Sequence, residues 1–309
     1  VLPVVVLAGC VALAVSWAYR LSPHALATVV AALLIVTGGF VGATYGTVLN
    51  FDSPSQSMTT LWLLSLSVIA LASLQSRRFW PFVAPLAILG IGLAGGKISS
   101  AAIALSGLAA LALVGVIRRD IWWKRAILSL GVVGVSTIVV FFALLSGSSE
   151  AGGLQLFSLL DRASSLQSLN PVVTPRGIVA GIALLVLAAL PRWMGIIWLS
   201  IDRTRRWSSD VVIGYGFAAG ALVTITVLSG GFNDLWFAVA ASAPLAVLSA
   251  VGISEAWKWL ENRGAWRPLS AACGGLLIAL TVAAMWATGS SGVIGNGWRW
   301  TGPIVALTL

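Results

Sequence analysis

The sequence predicts an all-α fold, a polytopic bundle of transmembrane helices. Hydrophobic residues make up 59% of the 309 residues, charged residues make up only 9%, and the mean hydropathy is +1.01. Soluble domains carry roughly 25% charged residues, so this chain has too few polar groups to cover a water-facing surface. Its apolar residues also form runs of about 20, the length of helix that crosses roughly 30 Å of hydrocarbon. Lipid is therefore the predicted solvent.

The apolar runs predict ten spans, followed by an eleventh that begins at the C-terminus. No soluble segment interrupts them, so residues 1–309 are predicted to form a single transmembrane domain. The chain begins with Val1 and ends in an apolar run, and we expect it to be a fragment of a longer protein. The predicted spans are Val1–Ala18, Ala25–Leu49, Pro54–Leu74, Trp80–Gly96, Ile98–Ile117, Ala126–Ser146, Gly177–Ser200, Val211–Ser229, Trp236–Ser254 and Leu269–Ala287.

Two segments depart from a simple span. In the seventh span Pro191 and Arg192 interrupt the apolar run, so the helix is predicted to end there and to continue along the membrane interface. Residues 147–176 form the one long outer loop that the pattern predicts, and the middle of this loop is predicted to form a short interfacial helix.

The basic residues predict the orientation of the spans, because cytoplasmic loops are enriched in Lys and Arg. Alternate loops hold 14 of the 18 basic residues, which places the N-terminus of this chain outside the plasma membrane. The inner set is Arg20, Arg77, Arg78, Arg118, Arg119, Lys124, Arg125, Arg192, Arg203, Arg205, Arg206, Lys258, Arg263 and Arg267. The outer set is Lys97, Arg162, Arg176 and Arg299.

Several function classes are excluded by what the sequence lacks. The net charge of +9 is spread over short loop clusters and not along one solvated stripe, so nucleic acid is not an expected partner. Cys10 and Cys273 lie far apart in apolar runs and predict no disulfide. His24 is the only histidine, so no His-based metal site and no cofactor are expected. The phosphate-loop pattern fails around Lys97, because Ile91 and Ile98 occupy two of its required positions.

Lys97 lies between two apolar runs in the stretch LAGGKISSA. The preceding span is only 17 residues long, which predicts a turn close to the outer head groups. Gly95 and Gly96 permit a tight backbone, the next helix points its N-terminal amides at the turn, and Ser99 and Ser100 add hydroxyls. This pattern predicts a site for a phosphate or carboxylate. The alternative is a lysine that reaches the outer head groups without a specific ligand.

Carboxylates are rare in the predicted outer loops. Asp52 precedes a capping box in which Ser53 and Gln56 begin the third span, which indicates a structural turn. Asn233 or Asp234 is placed to cap the ninth span. The alternative makes Asp234 a candidate catalytic carboxylate that faces Lys97 across an outer cavity. Positive charge for a lipid phosphate in that cavity is also predicted from Arg162, Arg176 and Arg299.

Three stretches carry a resemblance to a known class of membrane proteins. They are the hairpin PLAILGIGLAGGKISSAAIALSGLAALALVGVIRR, the outer turn DSPSQ and the late run FAVAASAPLAVLSAVGI. The chain resembles large actinobacterial polytopic membrane proteins, some of which are similar to the GT-C superfamily of glycosyltransferases. That resemblance implies transfer of sugars from polyprenyl-phosphate donors at the outer membrane face. The acidic motif of such enzymes would lie upstream of Val1, so it assigns no catalytic residue here.

The expected function is therefore a GT-C-like glycosyltransferase of the cell envelope, or its membrane scaffold, with membrane lipids and a polyprenyl-phosphate sugar donor as partners. One alternative is a transporter or flippase for a lipid-linked or small substrate, in which broken helices line a path. Another is a noncatalytic membrane subunit. The near absence of ionisable residues in the middle of most spans disfavours an ion-coupled pump.

Overall fold

The computed structural model describes residues 2–36, 54–145, 194–227 and 235–263. All the secondary-structure elements in these ranges are helices. The first three are α1 (Leu2–Leu21), α2 (Ala25–Val36) and α3 (Pro54–Gln75).

The middle of the chain adds three more helices with short connections. A 3-10 turn at Trp80–Phe82 leads into α4 (Val83–Gly96), and a single residue separates α4 from α5 (Ile98–Arg118). Helix α6 (Trp123–Val140) continues as a wider π-helical turn at Phe141–Leu145.

The last described part contains two long helices. A helical segment at residues 194–201 is followed by a turn at residues 202–208, which leads into α7 (Ser209–Val227). Helix α8 (Leu235–Arg263) is 29 residues long and contains Pro244.

The predicted all-helical membrane fold is confirmed in its coarse form. Five described helices are long and apolar enough to cross a membrane, and three shorter apolar helices accompany them. The long candidates are Val4–Leu21, Ser57–Gln75, Ile98–Arg118, Trp123–Ala143 and Ala240–Asn262. The number of ten spans is not confirmed.

Most described helices begin and end close to the predicted span boundaries, and two of them are longer than predicted. Helix α6 begins at Trp123, before the predicted Ala126, and α8 continues to Arg263, beyond the predicted Ser254. The outer loop at 147–176, most of the seventh span and the tenth and eleventh spans lie outside the described residues.

Small residues allow α5 and α7 to pack closely. A Cβ atom added to Gly216 would lie 2.6 Å from the Cα of Gly107 and 2.5 Å from the carbonyl oxygen of Ser106. Gly220, one turn further along α7, faces the Ser106 side chain in the same way. Helices in lipid associate through such close backbone contacts, because lipid tails supply no hydrophobic drive between them. The Gly216 and Gly220 pair therefore sets the distance between these helices.

Helix α8 occupies a central position, since it packs against α1, α2, α3, α5 and α7. Its Gly252 lies against the backbone of Gly195 in the segment at 194–201, so close that neither position has room for a side chain. The Gly195 N–H donates a 3.0 Å hydrogen bond to the Ser249 hydroxyl at the same crossing. This contact fixes the end of that segment on α8.

Helix α5 ends in a left-handed residue that is not glycine. Arg119 has φ 53° and ψ 37°, and it is the one non-glycine residue with positive φ in the described ranges. The Arg119 N–H donates to the Val116 carbonyl at 3.2 Å and the Asp120 N–H donates to the Gly115 carbonyl at 3.1 Å. This is a Schellman arrangement, which pairs the last carbonyls of the helix.

The described basic clusters meet at one end of the bundle. The Arg125 guanidinium, at the start of α6, donates a 2.8 Å hydrogen bond to the Leu74 carbonyl at the end of α3. The guanidinium of Arg118, at the end of α5, lies 5.4 Å from the ring centre of Trp207. We call this end, where α1, α3, α5 and α8 finish, the basic end. Since 21 residues of helix rise roughly 30 Å, the start of α5 lies at the opposite end.

Candidate functional site

Lys97 is the single residue that connects α4 to α5, at the end of the bundle opposite the basic end. Its backbone is extended, with φ −156° and ψ 116°. Its N–H donates to the Leu93 carbonyl at 2.9 Å, and its carbonyl accepts the Ser100 N–H at 3.0 Å. The side chain is half-buried, and burial lowers the pKa of the ammonium group below its ordinary value. The structure therefore puts Lys97 in the turn that the sequence predicts.

Ser99 and Ser100 lie in the first turn of α5, and both are buried. Some serines deeper in the helices satisfy their hydroxyls on a carbonyl one turn back, as Ser67 does on Leu63 and Ser136 does on Val132, each at 2.8 Å, whereas Ser254 of α8 does not. The hydroxyls of Ser99 and Ser100 have no hydrogen-bond partner in the described part of the chain. A buried polar group without a partner costs about 1–3 kcal/mol. Both hydroxyls therefore lie buried and unsatisfied in the first turn of α5, beside Lys97.

The two glycines before Lys97 have different roles. A Cβ atom on Gly96 would lie 2.6 Å from the Thr59 Cγ2 atom, whereas a Cβ atom on Gly95 would meet nothing within 4 Å. Neither glycine has a positive φ, so the turn does not use their conformational freedom. The expectation that both glycines serve a tight backbone turn is wrong. Gly96 instead allows α4 to approach α3, and Gly95 borders open space.

The remaining residues of the predicted outer site are not brought to Lys97 by the described structure. Arg162, Arg176, Arg299 and Asp234 all lie outside the described residues, as does Asp52. Their approach to Lys97, and the role of Asp234 as a carboxylate or as a helix cap, stay predictions.

A second group of charged side chains lies at the basic end, around Glu255 of α8. The Ser22 hydroxyl donates to Glu255 Oε1 at 2.8 Å, and the Lys258 ammonium lies 3.4 Å from the same oxygen. Arg205 lies 3.9 Å from Glu255 Oε1 and donates at 3.5 Å to the Leu21 carbonyl. These contacts attach the turn at residues 202–208 to the end of α1 and to α8.

Next to this network lies a cavity of about 460 Å³. It is enclosed by α1, α3, α7, α8, the segment at 194–201 and the turn that follows. Its inner wall is buried and apolar, and its polar residues gather near the basic end. The apolar wall includes Trp17, Leu71, Leu199, Val211, Leu248 and Val251, and the polar lining comprises Ser16, Arg20, Gln75, Arg205, Ser208 and Asp210.

Trp17, whose side chain lines this cavity, carries an unpaired donor. The side chain is 3% exposed and its indole Nε1 has no hydrogen-bond partner among the described residues. An indole N–H donates and cannot accept, so its partner must be an acceptor atom. A ligand oxygen in the cavity would satisfy it.

The cavity lining carries two cations and one anion. Asp210 lies within electrostatic reach of Arg20 and Arg205, and Arg205 also lies 3.9 Å from Glu255 Oε1 beside the cavity. Arg20 makes its hydrogen bond to the neutral Gln75 side chain, at 2.6 Å, and pairs with no carboxylate in the described ranges.

The amino-acid sequence does not predict this cavity. Arg20 and Arg205 were interpreted as topology signals, because each lies at a membrane surface in a basic loop. The available signals were Asp210 in the first turn of an apolar helix and Glu255 three residues before Lys258 in another. Neither signal indicates that the helices and the turn that line the cavity come together in the folded chain.

The described residues contain no group of three or more His, Cys, Asp or Glu side chains that could hold a metal ion. His24 has a local role, since its Nδ1 accepts a 3.3 Å hydrogen bond from the Leu26 N–H at the start of α2.

Comparison of the chain with family models, with curated proteins and with solved structures finds no match.

Proposed function

We propose that this chain is an integral plasma-membrane protein of the cell envelope, with about ten spans and its first residues outside the cell. The distribution of basic residues between alternate loops supports this topology. The contacts that join the ends of α1, α3 and α5 to the turn at residues 202–208 are consistent with it, because they gather predicted inner residues at one end.

The function that we propose is to hold the phosphate of a lipid-linked substrate at the outer end of the bundle. The observation that carries this proposal is the pair of buried, unpartnered hydroxyls of Ser99 and Ser100 beside Lys97. The N-terminal amides of a helix favour anions, and here they lie next to a lysine at the same turn. A lysine that only reached the head groups would not require two buried hydroxyls without partners.

The proposed chemistry is sugar transfer from a polyprenyl-phosphate donor to an acceptor hydroxyl, by the chain itself or by a complex that it supports. In this reaction the bond from the anomeric carbon to the donor phosphate breaks, and a bond to the acceptor oxygen forms. A carboxylate removes the acceptor proton, and Asp234 is the candidate for that role. Arg162, Arg176 and Arg299 are the candidates for further contacts to the phosphate.

The test is binding of farnesyl phosphate to the purified chain in lipid nanodiscs, measured by calorimetry. Lys97→Ala should weaken binding about tenfold, and the double variant Ser99→Ala with Ser100→Ala should weaken it several-fold. Lys124→Ala is the matched control, because Lys124 lies at the basic end over the Trp123 ring. Equal affinity of Lys97→Ala and the unaltered chain would contradict the proposal.

A second candidate function, transport or flipping of a lipid-linked substrate, is favoured by the cavity at the basic end. A protein that moves a head group across the membrane needs binding groups near both surfaces, and the cavity lies at the end opposite Lys97. Reconstituted proteoliposomes distinguish the two functions. Flux of the lipid-linked sugar between leaflets favours transport, while sugar transfer at the outer face without flux favours the enzyme. Binding without either activity favours a noncatalytic subunit.

A further inference from the structure

The cavity at the basic end is a separate feature from the turn at Lys97. The cavity and the Lys97 turn are separated by about the length of α5, and they share no residue. The proposed phosphate site at Lys97 does not include the cavity, and the lining of the cavity determines which ligand it fits.

The polar lining favours an anion with several oxygens. Arg20 and Arg205 each present a planar guanidinium group, which matches phosphate or carboxylate oxygens with paired N–H donors. Asp210 lies within electrostatic reach of both arginines and Glu255 pairs with Arg205, so Arg20 is the arginine of the lining without a carboxylate pair in the described ranges. Two guanidinium groups and the Ser208 hydroxyl offer more donors than the two oxygens of one carboxylate accept. Phosphate is therefore the better match.

Trp17 is an independent observation that also indicates an acceptor. Its buried Nε1 has no partner in the described part of the chain, although the side chain lines the cavity. The electrostatic argument from the arginines does not depend on this donor. Both observations require an atom that accepts hydrogen bonds.

The apolar wall restricts what can carry the phosphate. Apart from Trp17, the apolar part of the lining consists of aliphatic side chains, among which Leu71, Leu199 and Leu248 are buried. Small-molecule sites usually have this composition, with a few polar groups that orient the ligand, and the volume falls within their range of about 300–1,000 Å³. Inorganic phosphate would leave this wall without a partner, whereas an apolar chain attached to the phosphate would cover it.

We propose that this cavity binds the phosphate group of a lipid, with the phosphate held by Arg20, Arg205 and the indole N–H of Trp17. The first part of the apolar chain then lies against Leu71, Leu199 and Leu248. Ser208 supplies a further hydroxyl at the same end. The site takes its lipid from the leaflet at the basic end of the bundle.

The probe is decyl phosphate, added to the purified chain in neutral detergent and counted by native mass spectrometry. One molecule should remain bound at saturation in Lys97→Ala, the variant that removes the outer phosphate site. Inorganic phosphate is the second arm, and it should fail to displace decyl phosphate even in hundredfold excess. Displacement at equal concentration would show a free-anion site and would overturn the lipid assignment.

Two variants test the residues. Arg20→Gln should weaken decyl phosphate binding at least tenfold. Trp17→Phe should weaken it several-fold because phenylalanine lacks the N–H donor, and the unfolding temperature without probe measures the packing lost with the smaller ring. The matched control is Arg78→Gln, an exposed arginine near the same end that does not line the cavity. Unchanged affinity in both Arg20→Gln and Trp17→Phe would overturn the proposal.

Lys97→Ala separates this inference from the proposed function. It should leave decyl phosphate binding at the cavity unchanged, since Lys97 lies at the other end of the bundle. Loss of binding in Lys97→Ala, with normal binding in Arg20→Gln, would move the lipid site to the outer turn and refute the cavity proposal. Loss in Arg20→Gln alone supports the cavity.

Discussion

The guanidinium group of Arg20 donates a 2.6 Å hydrogen bond to the side-chain oxygen of Gln75. Arg20 lies in the last turn of α1 and Gln75 is the last residue of α3, so this bond joins two helix C-termini. The two helices therefore run in the same direction. Between the end of α1 and the end of α3 the chain must therefore cross the bundle an even number of times, once in the intervening span and once in α3. The alternation of basic loops predicts the same arrangement.

The orientation of the chain can be tested by cysteine labelling. With Cys10 and Cys273 replaced by alanine, we expect Gly95→Cys to react with a membrane-impermeant maleimide in intact cells. Arg77→Cys should react only after permeabilisation, since Arg77 lies just past the end of α3 at the basic end. Gly95 borders open space, so cysteine fits there without a clash. The reverse pattern would show that the chain has the opposite orientation.

The crossing of α5 and α7 should not tolerate a methyl group. Gly216→Ala would press a Cβ atom against the Ser106 carbonyl oxygen and the Gly107 Cα atom, which are backbone atoms and cannot rotate away. We expect a loss of about 1–3 kcal/mol of stability, the usual cost of overpacking. The measurement is thermal unfolding in detergent.

Gly131→Ala is the control for that experiment. Gly131 is exposed on α6 and a Cβ atom there meets nothing within 4 Å. Alanine should stabilise this helix by up to about 1 kcal/mol through its higher helix propensity. An equal loss of stability in the two variants would contradict the close packing at Gly216.

The ammonium group of Lys97 should lose its proton at a lower pH than free lysine does. Burial disfavours its charged form and lowers the pKa. The unfolded chain then binds the proton more tightly, so stability should rise with pH between the lowered pKa and the ordinary value of about 10.4. A bound phosphate would raise the pKa again by attraction.

These shifts can be measured by NMR of the chain after reductive ¹³C-methylation of its lysines. The chain has three lysines, and Lys→Arg variants of each assign the signals. Methylated N-acetyl-lysine in the same detergent is the reference. A midpoint for Lys97 at or above that of the reference would contradict the burial of this side chain.

The sequence predicted the helices better than their arrangement. The starts of α2, α3 and α5 coincide with predicted span starts, because a change from polar to apolar residues marks α2 and α5 and the capping box at Ser53 and Gln56 marks α3. Helix α8 exceeds its predicted span because the stretch EAWKWLENR, although partly charged, continues the helix beyond the apolar part. A hydropathy criterion detects the edge of the membrane and not the end of the helix.

The cavity at the basic end could not be predicted in the same way. Its lining comes from α1, α3, α7, α8 and the segment before α7. The lining residues of α1 and α8 are more than 200 residues apart in the sequence. Arg20 and Arg205 were both predicted to lie on the same side, and the structure has them at one end of the bundle, but their proximity to Asp210 depends on tertiary packing. The site at Lys97 was easier to predict, because Lys97, Ser99 and Ser100 are neighbours along the chain.

The left-handed residue that ends α5 is an arginine and not a glycine. Glycine would adopt this conformation without the cost of about 1–2 kcal/mol that other residues bear. Arg119 bears that cost and keeps a permanent cation directly after the candidate span Ile98–Arg118. A single cation near anionic head groups contributes about 1 kcal/mol, a comparable amount. The attraction of Arg119 to anionic head groups would therefore offset the backbone strain at the end of α5. We expect the stability of this helix end to depend on the lipid composition around it.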